Sequence, residues 1–191
     1  QTGFTSPRED WFPLSSAVPL VRYAGAVTGA ALVNHTCHPH CGLMTILFVD
    51  QNHRAAPVTR FLDLYPLLKD IEELAAKTRK RRIKVLSKAS ALQALNRHFH
   101  ADRAPEGLTF FRFLQTLDGV GDKKYSWDER YRGYTYKTFY IAGMHFMDAY
   151  NYDLERVSRC GVHYSAPDGK SYPFCTYNSG PTFRSRVERG V

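Results

Sequence analysis

No apolar run in this sequence approaches the roughly 18 residues that a membrane-spanning helix needs; the apolar stretch Met44 to Val49 is only strand-sized. That excludes a transmembrane helix. Position 1 is glutamine, and no charged-then-apolar signal segment follows it, so the chain is expected to be a processed or excised piece of something longer. There is no serine-centred nucleophile elbow, no phosphate-cradling glycine loop and no pair of carboxylates placed for acid–base work. Internal repeats and low-complexity tracts are missing too. Acidic residues are in deficit, 18 against 26 Lys and Arg, leaving a net charge of +8. That excess favours phosphate-bearing partners or anionic surfaces and says nothing about fold. Cysteines number only four, and their placement is the most informative feature present.

What is there suffices for a globular core. Of the 191 residues 43% are apolar and 14% aromatic, so one domain over residues 1–191 is expected rather than disorder. Residues 1–20 carry Pro7, Pro13 and Pro19 around Trp11 and Phe12 and read as a linker-like segment whose aromatics pack on the core. Residues 21–118 form a part with a strand and helices, and residues 119–191 a Tyr-rich part with a hairpin. A short helix is expected from about Ser15 to Val27. The run Leu43–Val49 predicts a strand, with Ala55–Phe61 returning as an edge strand because of Pro57. Asp63 as N-cap and Pro66 in the first turn open a helix carrying Leu64, Leu67, Leu68, Ile71, Leu74 and Ala75 at helical spacing. A second helix is expected over Ile83–Phe99, with Val85, Ala89, Leu92, Leu95 and Phe99 on its buried stripe. A third is expected over Leu108–Leu117, with Leu108, Phe111, Leu114 and Leu117 inside. Gly121–Lys124 reads as loop, Tyr125 to Tyr140 is β-prone, and Asp153–Arg159 is a short helical candidate. Pro167-Asp168-Gly169 turns Val162–Ala166 back onto Ser171–Cys175. The fold class is therefore α+β, with central helices and β-hairpins at both ends, stapled by a four-cysteine metal or iron–sulfur site.

The staple rests on two local pairs. Cys37-His-Pro-His-Cys41 precedes the apolar strand, and Cys160 and Cys175 flank the Pro167–Gly169 hairpin near its open end. Two such pairs converging on one point are a common way to build a four-thiolate metal site. Disulfides in an oxidising compartment, inert buried thiols, and a site that also uses His38 or His40 stay open. Spacing does not separate zinc, a single iron and a [4Fe–4S] cluster. His98 and His100 do not share a helix face and are expected to be exposed or placed at a helix end. His145, Asp148 and His163 are weaker candidates, a lone histidine beside aromatics being more often a packed, hydrogen-bonded core group. The crowd of Lys77, Arg79, Lys80, Arg81 and Arg82 reads first as a solvated helix end and second as a phosphate or lipid head-group contact.

Several strings resemble one known family. Thr36-Cys-His-Pro-His-Cys-Gly42, the strand ending Leu47-Phe-Val-Asp50 and Pro57-Val-Thr-Arg-Phe61 are similar to the region after the catalytic core of radical S-adenosylmethionine proteins, namely archaeal tetraether lipid synthases and their bacterial relatives. Met144-His-Phe-Met-Asp-Ala-Tyr-Asn-Tyr-Asp153, Arg159-Cys160, Pro167-Asp-Gly169 and Pro173-Phe-Cys-Thr-Tyr-Asn178 resemble that family's C-terminal segment, and Asp10-Trp-Phe-Pro-Leu-Ser-Ser16 its linker. Residues 77–135 match nothing in it.

The resemblance implies the C-terminal auxiliary-cluster domain of a larger enzyme that joins lipid hydrocarbon chains by radical chemistry. Cys37, Cys41, Cys160 and Cys175 would ligate one [4Fe–4S] cluster, and His38, His40 and amides near Gly42 and Gly161 would tune it. The Cys-x-x-x-Cys-x-x-Cys loop that binds the catalytic cluster and S-adenosylmethionine is missing from this chain, so it is not catalytic alone. Its implied partners are the catalytic core of the same polypeptide and a lipid or phosphate-bearing substrate. The implied location is cytoplasmic, with membrane association through that substrate. The competing reading is a zinc-stabilised basic module that binds nucleic acid, on the strength of the charge, the Lys77–Arg82 run and the tyrosines. A stand-alone metalloenzyme with His145 or His163 at an open metal position ranks last.

Overall fold

The computed structural model describes residues 6–34, 36–80, 84–119, 136–179 and 181–189, and shows an α+β arrangement. One strand organises it. β2 (Gly42–Asp50) grows from the apolar run, and β4 (Tyr136–Met144) pairs antiparallel along its whole length, from Gly42↔Met144 to Asp50↔Tyr136. The opposite edge of β2 is shared by two short strands. β1 (Phe12–Pro13) meets its start, Phe12 against Met44, and β3 (Ala55–Pro57) meets its end, Leu47 against Pro57. The expected return strand is thus cut short: after Pro57 the chain turns into a single 3-10 turn, Val58–Arg60. Asp50 builds the β2–β3 turn, its Oδ1 accepting from the amides of Asn52 and Arg54 and its Oδ2 from Arg54 Nε at 2.6 Å. Hairpins at both ends therefore understate the sheet, because β4 comes from far along the chain to complete the first one.

Helices cover this sheet. α1 (Val18–Thr28) starts with Pro19 in its first turn, where a missing N–H costs nothing, and ends on Gly29 at φ +78°. α2 (Leu64–Lys80) buries Leu64, Leu67, Leu68, Ile71 and Ala75, the stripe its spacing predicts. The stripe of α3 (Lys84–His98) departs from expectation: Ser87, Ala91 and Ala94 are buried, whereas Ala89 and Leu92 are exposed. Small residues let α3 settle close against its neighbours, and Tyr23 of α1 donates to the Ser87 carbonyl at 2.9 Å. In α4 (Phe110–Gly119) Leu108 just before it and Phe113 are buried, while Phe111 turns out to solvent. The core centres on Phe48, Phe61 and Phe113, with ring centroids 5.3 Å (Phe48–Phe61) and 5.5 Å (Phe48–Phe113) apart and Phe99 and Phe110 beside them.

The opening segment is tied down as expected. Phe12 is buried, and buried Asp10 receives Arg60 Nη2 at 2.8 Å and Nε at 3.1 Å. His98 ends α3, the helix-end placement expected, but His98 and His100 are both half-buried. Backbone bonds from Asp63 N to His98 O and from His100 N to Phe61 O bring the end of α3 beside the start of α2. His98 then meets Asp70 at 2.9 Å and His100 meets Asp63 at 2.6 Å.

After β4 come α5 (Leu154–Ser158), the hairpin of β5 (His163–Ser165) with β6 (Ser171–Pro173), then α6 (Phe174–Asn178) and α7 (Pro181–Glu188). The hairpin is the one read from Pro167-Asp-Gly169. Gly169 sits at φ +76° and donates to the Ala166 carbonyl at 3.0 Å. The loop Gly121–Lys124, the stretch Tyr125–Thr135, and Arg81 and Arg82 of the basic run lie outside the described residues.

Candidate functional site

Each cysteine is held by a short, specific piece of backbone, and Cys41 and Cys175 are tied to one end of the β2–β4 ladder. Cys37-His-Pro-His-Cys41 closes as a 3-10 turn, Pro39–Cys41, capped by His38, whose Nδ1 accepts from His40 N and whose carbonyl accepts from Cys41 N at 2.9 Å. Cys41 leads directly into β2. Across the ladder, β4 ends at Met144, and the next residue, His145, donates its amide to the Cys41 carbonyl at 3.0 Å. Two residues further on, the Met147 amide donates to Cys175 Sγ at 3.4 Å. Asp153 caps α5 through the amides of Glu155 and Arg156, and α5 hands the chain to Cys160, whose amide bonds the Val157 carbonyl at 3.0 Å. The Cys160 thiol donates to the Val162 carbonyl.

Cys37 lies within electrostatic reach of Cys41 and of Cys160. Burial pushes the Cys37 thiol up, the thiols of Cys41 and Cys160 push it the same way, and the guanidinium of Arg159 opposes them. Cys175 joins through the Met147 amide. All four are free cysteines, Cys37 buried and the others half-buried. Among the described residues, no three His, Cys, Asp or Glu side chains are gathered tightly enough to hold a metal ion.

Arg156, on α5, was not legible as part of this site. It is 5% exposed, and its Nη2 donates to the His145 carbonyl at 2.5 Å, while its Nε is buried with no partner. Leaving such a donor unpaired costs about 1–3 kcal/mol, and more for a charged group. Aromatic rings close over the neighbouring hairpin: Phe146 stacks on Phe174 with centroids 4.4 Å apart, and Phe174 on Tyr164 at 5.2 Å. Nearby, β4 exposes Phe139 and Ile141 on one face of the sheet and Tyr140 and Met144 on the other.

The weaker candidates fare differently. The side chains of His145 and His163 are exposed rather than packed in the core, and the Asp148 carboxylate organises its own turn by accepting from Tyr150 N and Asn151 N. The amide that reaches a cysteine sulfur is Met147's, where those near Gly42 and Gly161 were expected. Of the basic run, Lys77 pairs with Glu73 at 3.8 Å, and Arg79 lines a cleft with Val21, Arg22, Gly25, Ala26 and Asn34. Among the described residues, no helix is long and apolar enough to cross a membrane.

No family model matches the chain. Over 183 residues, 94% of its length, it is 33% identical to 7,8-dihydro-6-hydroxymethylpterin dimethyltransferase of Methanocaldococcus jannaschii. The match covers 35% of that protein, so the chain spans about a third of its relative's length. The relative is named for a dimethyl transfer involving a dihydropterin, and a kinship with tetraether lipid synthases is not part of that finding.

Proposed function

We propose that this chain is the C-terminal auxiliary-cluster domain of a radical S-adenosylmethionine enzyme, with Cys37, Cys41, Cys160 and Cys175 as the ligands of one [4Fe–4S] cluster. The observation that supports the reading is that one cysteine of each pair bonds to the segment following β4, Cys41 through the His145 amide and Cys175 through the Met147 amide. The motif resemblance to radical S-adenosylmethionine proteins supports the enzyme class, and a dimethyltransferase related over 94% of the chain is compatible with it.

In donor chemistry the residues present suit such a group, four sulfurs with an amide already donating to one of them, while in the structure they are not drawn together closely enough to hold it. That chemistry fits an anionic, thiolate-held centre and not a hard cation that seeks oxygen. With every iron carrying a protein thiolate, the cluster would supply electron relay to the active site of the longer enzyme. Zinc or a single iron on the same four sulfurs is the alternative occupant. The chain's own residues do the rest: the Met147 amide steadies the Cys175 sulfur, Pro39 and His38 hold Cys37 and Cys41 in one turn, and α5 orients Cys160.

The substrate we infer is a lipid hydrocarbon chain. The motif resemblance and the exposed Phe139 and Ile141 on one face of β4 support it, and the same face offers a surface for the catalytic core of the same polypeptide. A dihydropterin is the second reading, favoured by the relative's name. A cytoplasmic enzyme meeting the membrane through its substrate follows from the lipid reading.

Cysteine-to-serine variants test the site. Anaerobically reconstituted wild type is expected to be brown. Cys37→Ser, Cys41→Ser, Cys160→Ser and Cys175→Ser should each lose most of the colour, while His38→Ala and His40→Ala keep it. Full colour in Cys160→Ser and Cys175→Ser would overturn the ligand set.

A further inference from the structure

Near the end of α2 a positive charge without a carboxylate partner lines a cleft. Val21, Arg22, Gly25, Ala26 and Gly29 follow one another along α1 and its cap at spacings of one and three residues, which gathers them on one side of the helix. Two glycines and an alanine keep that side bare. Gly29, at φ +78°, then turns the chain so that Ala31, Leu32 and Asn34 complete a cleft of about 380 Å³ with Arg79 of α2, a volume that suits a small molecule. Arg22, Arg54, Arg60, Arg97 and Arg103 each meet a carboxylate; among the described residues Arg79 meets none. The acids behind it on α2 are already engaged, Glu72 by Arg22 and Glu73 by Lys77. Arg22 is pinned by its bond to Glu72, which takes only one of its N–H groups.

We infer that this cleft binds a phosphomonoester, with Arg79 as its principal charge and Arg22 and Asn34 as further hydrogen-bond donors. A guanidinium presents a planar fork that matches two phosphate oxygens. Glu72 offsets Arg22, so Arg79 leaves the cleft one positive charge, on a protein whose net charge of +8 already draws anions toward it. Val21, Ala26, Ala31 and Leu32 give the cleft apolar walls, which the carbon part of an ester would cover and a hydrated inorganic ion would leave unused. The end of a helix opposes an anion when its last carbonyls are bare. Here two of them are covered: Thr28 Oγ1 donates to the Ala24 carbonyl and the Gly29 amide to that of Gly25, both at 2.8 Å. Nothing in this cleft depends on what the cysteines hold.

The test is calorimetric titration of the full chain with glycerol 3-phosphate at physiological salt, beside flotation with phosphatidylcholine vesicles that contain or lack phosphatidic acid. Saturable binding of glycerol 3-phosphate supports the site and assigns it to a soluble ester; binding to phosphatidic acid vesicles alone supports it and assigns it to a lipid head group. Arg79→Gln is expected to weaken that binding about tenfold or more, the loss of one charge-assisted contact. Arg97→Gln makes the same charge change toward the other end of α2, where Arg97 pairs with Asp70, and is expected to bind nearly as wild type. Ala31→Phe, at an exposed position, fills the cleft without altering charge and is expected to weaken binding as Arg79→Gln does. Should either of these two variants fail to fold, the other decides. Binding to neither probe overturns the site, as does an equal loss from Arg97→Gln or full binding by Ala31→Phe.

Discussion

Gly42 joins the cysteine turn to the central strand, and replacing it tests how tightly the site and the sheet are coupled. Its φ of −171° is extended backbone that any residue adopts, so a change to alanine brings no conformational strain. The difficulty is space. A Cβ there would lie 2.9 Å from Met144 Sδ and 3.1 Å from the Gly143 carbonyl oxygen. The sulfur ends a flexible side chain and can swing aside. The carbonyl belongs to the β2–β4 ladder, where Leu43 faces Gly143, and must move with its strand. Overpacking of this kind costs about 1–3 kcal/mol, and one yielding contact puts Gly42→Ala at about 1–2 kcal/mol. For a chain of this length that lowers the melting temperature by roughly 2–8 °C. Gly143→Ala is the internal control: nothing lies within 4 Å of its Cβ, so the change should stay under about 0.5 kcal/mol. Thermal unfolding of both variants beside wild type provides the comparison. Gly42→Ala melting with wild type, or Gly143→Ala losing as much, would refute the packing argument.

Two further outcomes follow from the core and its edges. Phe48→Ala removes a fully buried ring that touches both Phe61 and Phe113, and should cost about 3–5 kcal/mol in urea unfolding; a loss below about 2 kcal/mol would show that the cluster closes up around the gap. The hydrogen bond from His98, with the nearby Arg97, holds the Asp70 carboxyl below its usual range against the opposing pull of burial. A depressed carboxyl contributes stability above its unfolded value of about 3.9 and loses it as pH falls through the folded value. The stability gap between wild type and Asp70→Asn should therefore be open at pH 5 and narrow toward pH 3, whereas a gap constant over that range contradicts the pairing.

Local features of this chain were legible and distant ones were not. The strand at Leu43–Val49, the stripe of α2 and the turn at Pro167–Gly169 depend on residues close in sequence, and each is where its periodicity or turn chemistry places it. The partner of β2 was invisible, because β4 arrives from the far side of three helices and nothing in Tyr136–Met144 names its neighbour. The faces of α3 and α4 were legible in part: Leu95, Phe99, Leu108, Leu114 and Leu117 pack on the core as expected, while Ala89, Leu92 and Phe111 do not. Apolar spacing marks Leu92 and Phe111, but close packing selects Ser87, Ala91 and Ala94 on one helix and Phe113 on the other. At the site, the cysteines drew attention by their chemistry, while Arg156 looked like any surface arginine until its burial beside His145 was seen.

The central claim is that Cys37, Cys41, Cys160 and Cys175 together hold an iron–sulfur cluster. Iron and acid-labile sulfide should be counted per chain, with a visible absorption spectrum, in protein made under iron-replete conditions and purified without oxygen. About four irons with matching sulfide in brown protein is the predicted result. One zinc per chain and no colour would contradict the cluster, and would bring forward the zinc-stabilised basic module in its place.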